Sequence, residues 1–296
     1  MSRLRRSVHF VPAGEPRFLA RAAGLDADAI VLDLEDAVPA DQKEDARKTA
    51  RDWLASANVG RRERVVRINP LDSPFGRKDV EVTMEARPDA YMIPKVRRAA
   101  DLLAIDALLG ALERRHGRAP REVKLLVIAT ENAEGLLNIR ELAGAPRVDA
   151  LTWGGEDLSV DLGARRNRGE DGSYLDVFRY ARSMALLAAA AAGVSALDAV
   201  FTDLRDREGL EREAREAAWM GFAGKLTIHP DQLAPVNAAF SPSEDEIRES
   251  EELLLAFDEH ERAGRMAFDF RGRMVDVPHL RRARAVLERA RQAGLR

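Results

Sequence analysis

Short runs of apolar residues recur along this 296-residue chain, and each is followed by a stretch with helical spacing. The runs are Val8–Val11, Ala29–Leu34, Arg64–Ile68, Ala90–Ile93, Val123–Ala129, Ala150–Trp153, Leu197–Phe201 and Gly224–Ile228. Several are apolar almost without a break rather than alternating, as expected of strands covered on both faces. Between them, helical spacing predicts helices over Pro16–Gly24, Pro39–Leu54, Asp79–Ala86, Ala99–His116, Ala133–Leu142, Tyr174–Ala192, Glu208–Met220 and Asp231–Ala239. The pattern over Asp79–Ala86 is the weakest of these. Eight strands alternating with eight helices is the order of a TIM (β/α)8 barrel. A doubly wound open sheet shares the alternation but needs a Gly-rich phosphate turn after its first strand, and Pro12-Ala13-Gly14-Glu15 is a poor one.

The pattern changes after the eighth unit, dividing the chain into a barrel over residues 1–240 and an extension over 241–296. Ser241-Pro242-Ser243-Glu244 reads as a cap for a charged helix ending near Gly264. Ala267–Phe270 and Met274–Val277 flank Arg271-Gly272-Arg273 as a small hairpin, and a last amphipathic helix runs from about Pro278 to Ala293. Leu280, Ala283, Val286, Leu287 and Ala290 form an apolar stripe on that helix, which needs a partner. A neighbouring subunit would supply one, and so would the chain's own barrel. The first arrangement is the expectation.

Composition narrows the class. With 46% hydrophobic and 33% charged residues the chain is of globular type. A net charge of −3, from 47 basic and 50 acidic side chains, gives no reason to expect nucleic acid or an anionic membrane as partner. The absence of cysteine excludes disulfides, thiolate nucleophiles and Cys-ligated metals. The longest apolar run, Met184–Val194, is too short to span a bilayer, and Ser7–Pro12 is too short for a signal-peptide core. A cytoplasmic protein is the expectation.

In TIM barrels chemistry sits where the strands end. Those ends deliver Asp33, Glu35 and Asp36 from strand two, Arg67 and Asn69 from strand three, and Lys95 from strand four. Strand five delivers Glu131 and Asn132, strand six Glu156 and Asp157, strand seven Asp203, and strand eight His229. Each has a plainer reading: Asp33 closing the barrel, Asp157 capping a turn at Leu158, His229 bonding within its loop, Lys95 a surface charge. Carboxylates converging on one rim repel, however, unless a cation or shared protons relieve them. A rim rich in carboxylate and poor in histidine suits an oxygen-ligated hard cation better than zinc.

At these positions the chain resembles the citrate lyase β-subunit-like (CitE-like) proteins and malyl-CoA lyases of the HpcH/HpaI aldolase superfamily. The matching strings are Arg6-Ser7-Val8-His9-Phe10-Val11-Pro12, Val31-Leu32-Asp33-Leu34-Glu35-Asp36-Ala37-Val38 with Lys43 and Arg47 after it, and Val66-Arg67-Ile68-Asn69-Pro70. Ile93-Pro94-Lys95-Val96, Glu131-Asn132-Ala133-Glu134-Gly135 and the segments Gly154–Gly163, Gly224–Pro230 and Gly272–Pro278 also match. Asn132 stands where the family usually has threonine, His9 replaces a usual aliphatic residue, and Trp153 precedes the Gly154-Gly155 turn.

The resemblance implies Glu131 and Asp157 as direct ligands of Mg2+, with Mn2+ as a possible substitute. It implies that Glu35 and Asp36 hold metal-bound water, that Arg67 grips the substrate carboxylate, and that Lys95 belongs to the substrate-binding set. Asp276 would complete a neighbouring subunit's site from the C-terminal segment, in a homotrimer or hexamer. The implied reaction splits a 3-hydroxyacyl-CoA thioester into an acyl-CoA and a 2-oxo acid by retro-Claisen chemistry, with Asp276 as the acid. Alternatives are a malyl-CoA-type thioesterase and a citrate lyase β subunit acting on an acyl-carrier-protein thioester. A CoA-binding scaffold without catalysis is a further reading, disfavoured by the presence together of Glu131, Asp157, Arg67 and Asp276.

Overall fold

The apolar runs pair in parallel and in sequence order. A computed structural model describes residues 3–296. Its first four strands are β1 (Ser7–Pro12), β2 (Ala29–Asp33), β3 (Glu63–Arg67) and β4 (Ala90–Ile93). The next four are β5 (Lys124–Ile128), β6 (Val148–Thr152), β7 (Ser195–Asp198) and β8 (Gly224–Thr227), and β8 closes on β1 to complete a barrel. Alternate residues point inward: Val8, Val31, Val65, Met92, Leu126, Ala150, Leu197 and Leu226 fill the interior. The floor is sealed by charge. Arg5, just before β1, donates from Nε and Nη2 to Glu63 at 2.6 and 2.8 Å, and from Nη2 to Asp149 at 2.6 Å.

Helices α1 (Pro16–Ala22), α2 (Lys43–Ser56), α3 (Gly76–Thr83), α4 (Ala99–Arg115) and α5 (Ala133–Leu137) follow the first five strands. Next come α6 (Ile139–Ala143), α7 (Gly155–Asp161), α8 (Asp176–Ala192), α9 (Arg207–Met220) and α10 (Leu233–Ala239). Three of the boundaries that differ from the sequence pattern have a visible cause. Helix α3 starts at Gly76, ahead of Asp79, because Ser73 Oγ collects the N–H groups of Phe75 and Gly76. The predicted single helix Ala133–Leu142 divides at Asn138, whose side chain donates to the Arg97 carbonyl. Strand β7 stops at Asp198 rather than Phe201, its carboxylate held by Lys225, Arg182 and Trp153. Helix α7 has no counterpart in the sequence pattern, which marks only a turn there.

The chain divides after Asn237 into two compact units. The second contains α11 (Glu244–Arg262), β9 (Phe268–Phe270), β10 (Arg273–Val275) and α12 (Val277–Gln292), the predicted helix, hairpin and helix. Ser243 Oγ accepts the Glu246 N–H while the Glu246 carboxylate accepts the Ser243 N–H, a capping box that starts α11. Arg271 and Gly272 (φ 56° and 79°) make the two-residue left-handed turn that suits a tight hairpin. Leu253 and Phe257 of α11, Phe268 and Val275 of the hairpin, and Leu280 and Ala283 of α12 share one core. The apolar stripe of α12 therefore finds its partner within its own unit, and by itself it does not require a neighbouring subunit. Among the described residues no helix is long and apolar enough to cross a membrane.

Candidate active site

The strand period that buries Val31 and Val65 inside the barrel sets Asp33 and Arg67 one layer higher, opposite each other in the β2–β3 register. Asp33 accepts from Arg67 Nε at 2.8 Å and from Nη2 at 2.7 Å, and also from the Glu35 N–H at 2.9 Å. Arg67 Nη1 points to Glu35, 3.1 Å away, and the guanidinium lies 4.9 Å from the centre of the Phe10 ring. Burial disfavours the charged guanidinium, but Asp33, Glu35 and Glu131 outweigh it and hold its pKa above the ordinary arginine value.

Beyond β4 and β5 the chain brings two more groups to the same rim. Lys95 adopts a left-handed backbone (φ 54°), a conformation that costs a non-glycine residue roughly 1–2 kcal/mol. That turn aims its N–H at Glu131 Oε2, while its ammonium lies 2.7 Å from Glu35, 3.0 Å from Asp36 and 3.8 Å from Asp157. Burial, then the charge of Glu35, push the Glu131 carboxyl up to about 8, against the pull of the Lys95 N–H and of Arg67. Burial likewise raises Glu35, although Arg67 and Lys95 oppose it. Both Glu35 oxygens are buried and neither receives a well-directed hydrogen bond.

Six predicted residues (Glu35, Asp36, Arg67, Lys95, Glu131 and Asp157) thus share one network. Asp157 lies in the first turn of α7, whose N-cap is Gly154, so its carboxylate is not consumed in capping. Other strand-end residues are used locally. Asn132 caps α5 by accepting the Gly135 N–H, Asn69 bonds Asp79 and the Leu34 carbonyl, and Glu156 accepts from Asn167. Asp203 is exposed and accepts the Arg205 N–H, and His229 accepts the Asp231 N–H within its own turn. Asp276 belongs to the second unit, at the N-cap of α12, with its carboxylate 2.6 Å from His279 Nδ1.

The sequence places Lys43 and Arg47 in a string shared with the family and Asn69 at a strand end, but gives no sign that they support this rim. Lys43 Nζ donates to the carbonyls of Leu34 at 2.8 Å and Glu35 at 2.6 Å, fixing the loop that carries Glu35. Asp79 accepts from Arg47 and from the Asn69 N–H. The sequence signal was a lysine and an arginine four apart on α2, indistinguishable there from a solvated helix face.

A cavity of about 260 Å3 opens here, walled on one side by Phe10, Ile128, Val200 and Leu226 and on the other by Arg67, Glu131 and Asp157. A larger cleft of about 710 Å3 lies beside Arg168, Tyr174 and Glu213, but Arg168 and Glu213 there already pair with each other. Among the described residues no group of three or more His, Asp or Glu side chains is spaced to enclose a metal ion. Glu131 and Asp157 fit a hard divalent cation as a two-carboxylate, open site. The donors are all oxygen, Glu131 is costly to ionise where it stands, and the buried Glu35 oxygens have capacity for water.

The family HpcH/HpaI aldolase/citrate lyase matches residues 6–230, the whole of the barrel strands and the rim just described. The chain belongs to this family. A (3S)-malyl-CoA thioesterase of Cereibacter sphaeroides is 40% identical over 96% of this chain and 94% of its own. The mitochondrial citramalyl-CoA lyase of Mus musculus is 36% identical over 96% of this chain and 85% of its own. Among solved structures, CitE from Mycobacterium tuberculosis in complex with magnesium, acetoacetate and coenzyme A is 39% identical. It superposes with a TM-score of 0.79, covering 96% of this chain and 97% of that one. The eight-stranded closed barrel is the fold shared with the CitE structure.

Proposed function

We propose that the chain is a Mg2+-dependent carbon–carbon lyase that splits a 3-hydroxyacyl-CoA of the malyl-CoA or citramalyl-CoA type into an acyl-CoA and a 2-oxo acid. The observation that carries the reading is the strand-end cavity lined by Arg67, Glu131 and Asp157, with Glu35 and Lys95 joined to that set by ion pairs to Arg67 and Asp157. Relatives whose names denote CoA-ester chemistry support it. Glu131 and Asp157 hold the cation, Mn2+ serving as substitute, and Glu35 and Asp36 hold its waters. When bound, the cation polarises the substrate hydroxyl and the 2-oxo acid oxygens.

Arg67 orients the substrate. Asp33 occupies the Nε–Nη2 edge of the guanidinium and Glu35 lies 3.1 Å from Nη1, so a substrate carboxylate would take the remaining N–H groups of Nη1 and Nη2. Lys95 adds positive charge on the same side. The substrate hydroxyl gives up its proton to water at the rim and its oxygen becomes the 2-oxo oxygen as the bond between the hydroxyl-bearing carbon and the thioester α-carbon breaks, the electron pair of that bond passing to the α-carbon. Asp276 of a neighbouring subunit protonates that carbon, His279 holding its carboxylate in place. This role implies a homo-oligomer, a trimer or hexamer.

The test is an assay of the pure protein with malyl-, methylmalyl- and citramalyl-CoA in Mg2+, following 2-oxo acid and free CoA separately. A lyase yields 2-oxo acid and acyl-CoA and stops when the metal is chelated. The thioesterase reading, favoured by the name of the 40% identical relative, predicts free CoA instead. Neither product, with activity only on an acyl-carrier-protein thioester, would make the chain a citrate lyase β subunit.

A further inference from the structure

The Gly154-Gly155 turn that presents Asp157 is built on Trp153, and Trp153 is tied into a closed circuit of contacts. Its indole Nε1–H donates to Asp198 at 2.8 Å. Asp198 also accepts from Lys225 Nζ at 2.8 Å and from two guanidinium nitrogens of Arg182 at 3.0 and 3.1 Å. Lys225 Nζ donates in turn to Glu213 at 2.8 Å, and Glu213 pairs with Arg168 at 2.7 Å. The Arg168 guanidinium lies 3.7 Å from the centre of the Tyr174 ring, and Tyr174 meets Trp153 edge to face, 4.8 Å between centroids. Trp153, Asp198 and Lys225 are all buried. None of these contacts uses Glu131, Asp157, Arg67 or Lys95.

The circuit matters because the turn above it has no slack. A methyl group added at Gly155 would lie 3.1 Å from the indole ring, and one added at Gly154 would lie 2.8 Å from Glu131 Cγ. The turn is therefore held between the indole and one proposed cation ligand, and Asp157, the other, follows two residues later. A buried indole needs a partner for its N–H. Here that partner is a carboxylate already fixed by two cations, so the ring cannot slide without breaking a charge-assisted hydrogen bond.

We propose that Trp153 is a positioning residue whose hydrogen bond to Asp198 sets the spacing of Asp157 and Glu131, and hence the affinity of the cation site. The inference rests on the Mg2+ reading above. The discriminating variant is Trp153→Phe, which keeps an aromatic ring under the turn but removes the indole N–H together with part of the ring's volume. In a calorimetric titration of Mg2+ into the full-length protein without substrate, the variant should bind roughly tenfold more weakly than the parent. Its melting temperature should fall by only a few degrees, the effect of the smaller buried ring, since Asp198 keeps Lys225 and Arg182. Turnover should recover at saturating Mg2+, the shift appearing in the metal concentration required. Parent-like Mg2+ affinity in Trp153→Phe overturns the proposal, as does weaker binding that merely follows a large loss of thermal stability. A parent protein that binds no Mg2+ overturns the cation reading itself, and the positioning role falls with it.

Discussion

Arg67 carries five N–H donors, and Asp33 takes two of them from one edge of the plane. A lysine there keeps the charge but cannot serve Asp33 and a substrate carboxylate together. Arg67→Lys should therefore lower kcat/KM roughly 10- to 100-fold in steady-state kinetics, the loss of a charge-assisted bidentate contact. Parent-like kinetics would place the carboxylate clamp elsewhere. His9 offers a second test at this scale. Burial, with the charge of His229 added, lowers its imidazole to about 4, and its Nδ1 lies 3.0 Å from Thr227 Oγ1. The folded state thus binds a proton less readily than the unfolded chain, whose histidines titrate near 6.5. Its contribution to stability is complete above that pH and is lost as pH falls from about 6.5 towards 4, on the order of 3 kcal/mol in all. Denaturant titrations of His9→Leu across that window should show a flatter pH dependence than the parent.

At the scale of elements, the strands were legible in the sequence because a strand buried on both faces leaves an unbroken apolar run. Its last residue then marks the rim, as for Asp33 and Arg67. The hairpin and the α11 cap were legible because both are local, set by Arg271-Gly272 and by Ser243 with Glu246. Helix α7 and the shortened β7 were not, because each answers to residues far along the chain. Trp153 and Asp198 are 45 positions apart, and Asp198 and Lys225 are 27 apart. No window of sequence contains both partners. The N-cap of α12 separates structure from chemistry in the same way. Asparagine caps a helix about as well as aspartate but cannot carry the proton proposed for Asp276. Asp276→Asn should leave the melting temperature within a few degrees of the parent while turnover falls at least about 100-fold. Retained turnover would remove Asp276 from the reaction.

At the scale of the molecule, the barrel holds its seal at the strands' N-terminal ends, in Arg5, Glu63 and Asp149, and its reactive groups at the C-terminal ends. The proposed role of Asp276 across a subunit boundary is tested by mixing Asp276→Ala with Arg67→Ala under subunit exchange. Mixed oligomers should regain part of the activity, since some sites combine two intact halves. Exchange without recovery would place both residues in one subunit's site, or Asp276 in none. The central claim is that the strand-end carboxylates form a divalent-cation site, and a calorimetric Mg2+ titration of parent, Glu131→Ala and Asp157→Ala tests it most directly. The prediction is one binding event in the parent and none in either variant, with both variants folded because neither carboxylate helps fill the barrel core. Undiminished Mg2+ affinity in both variants would contradict it.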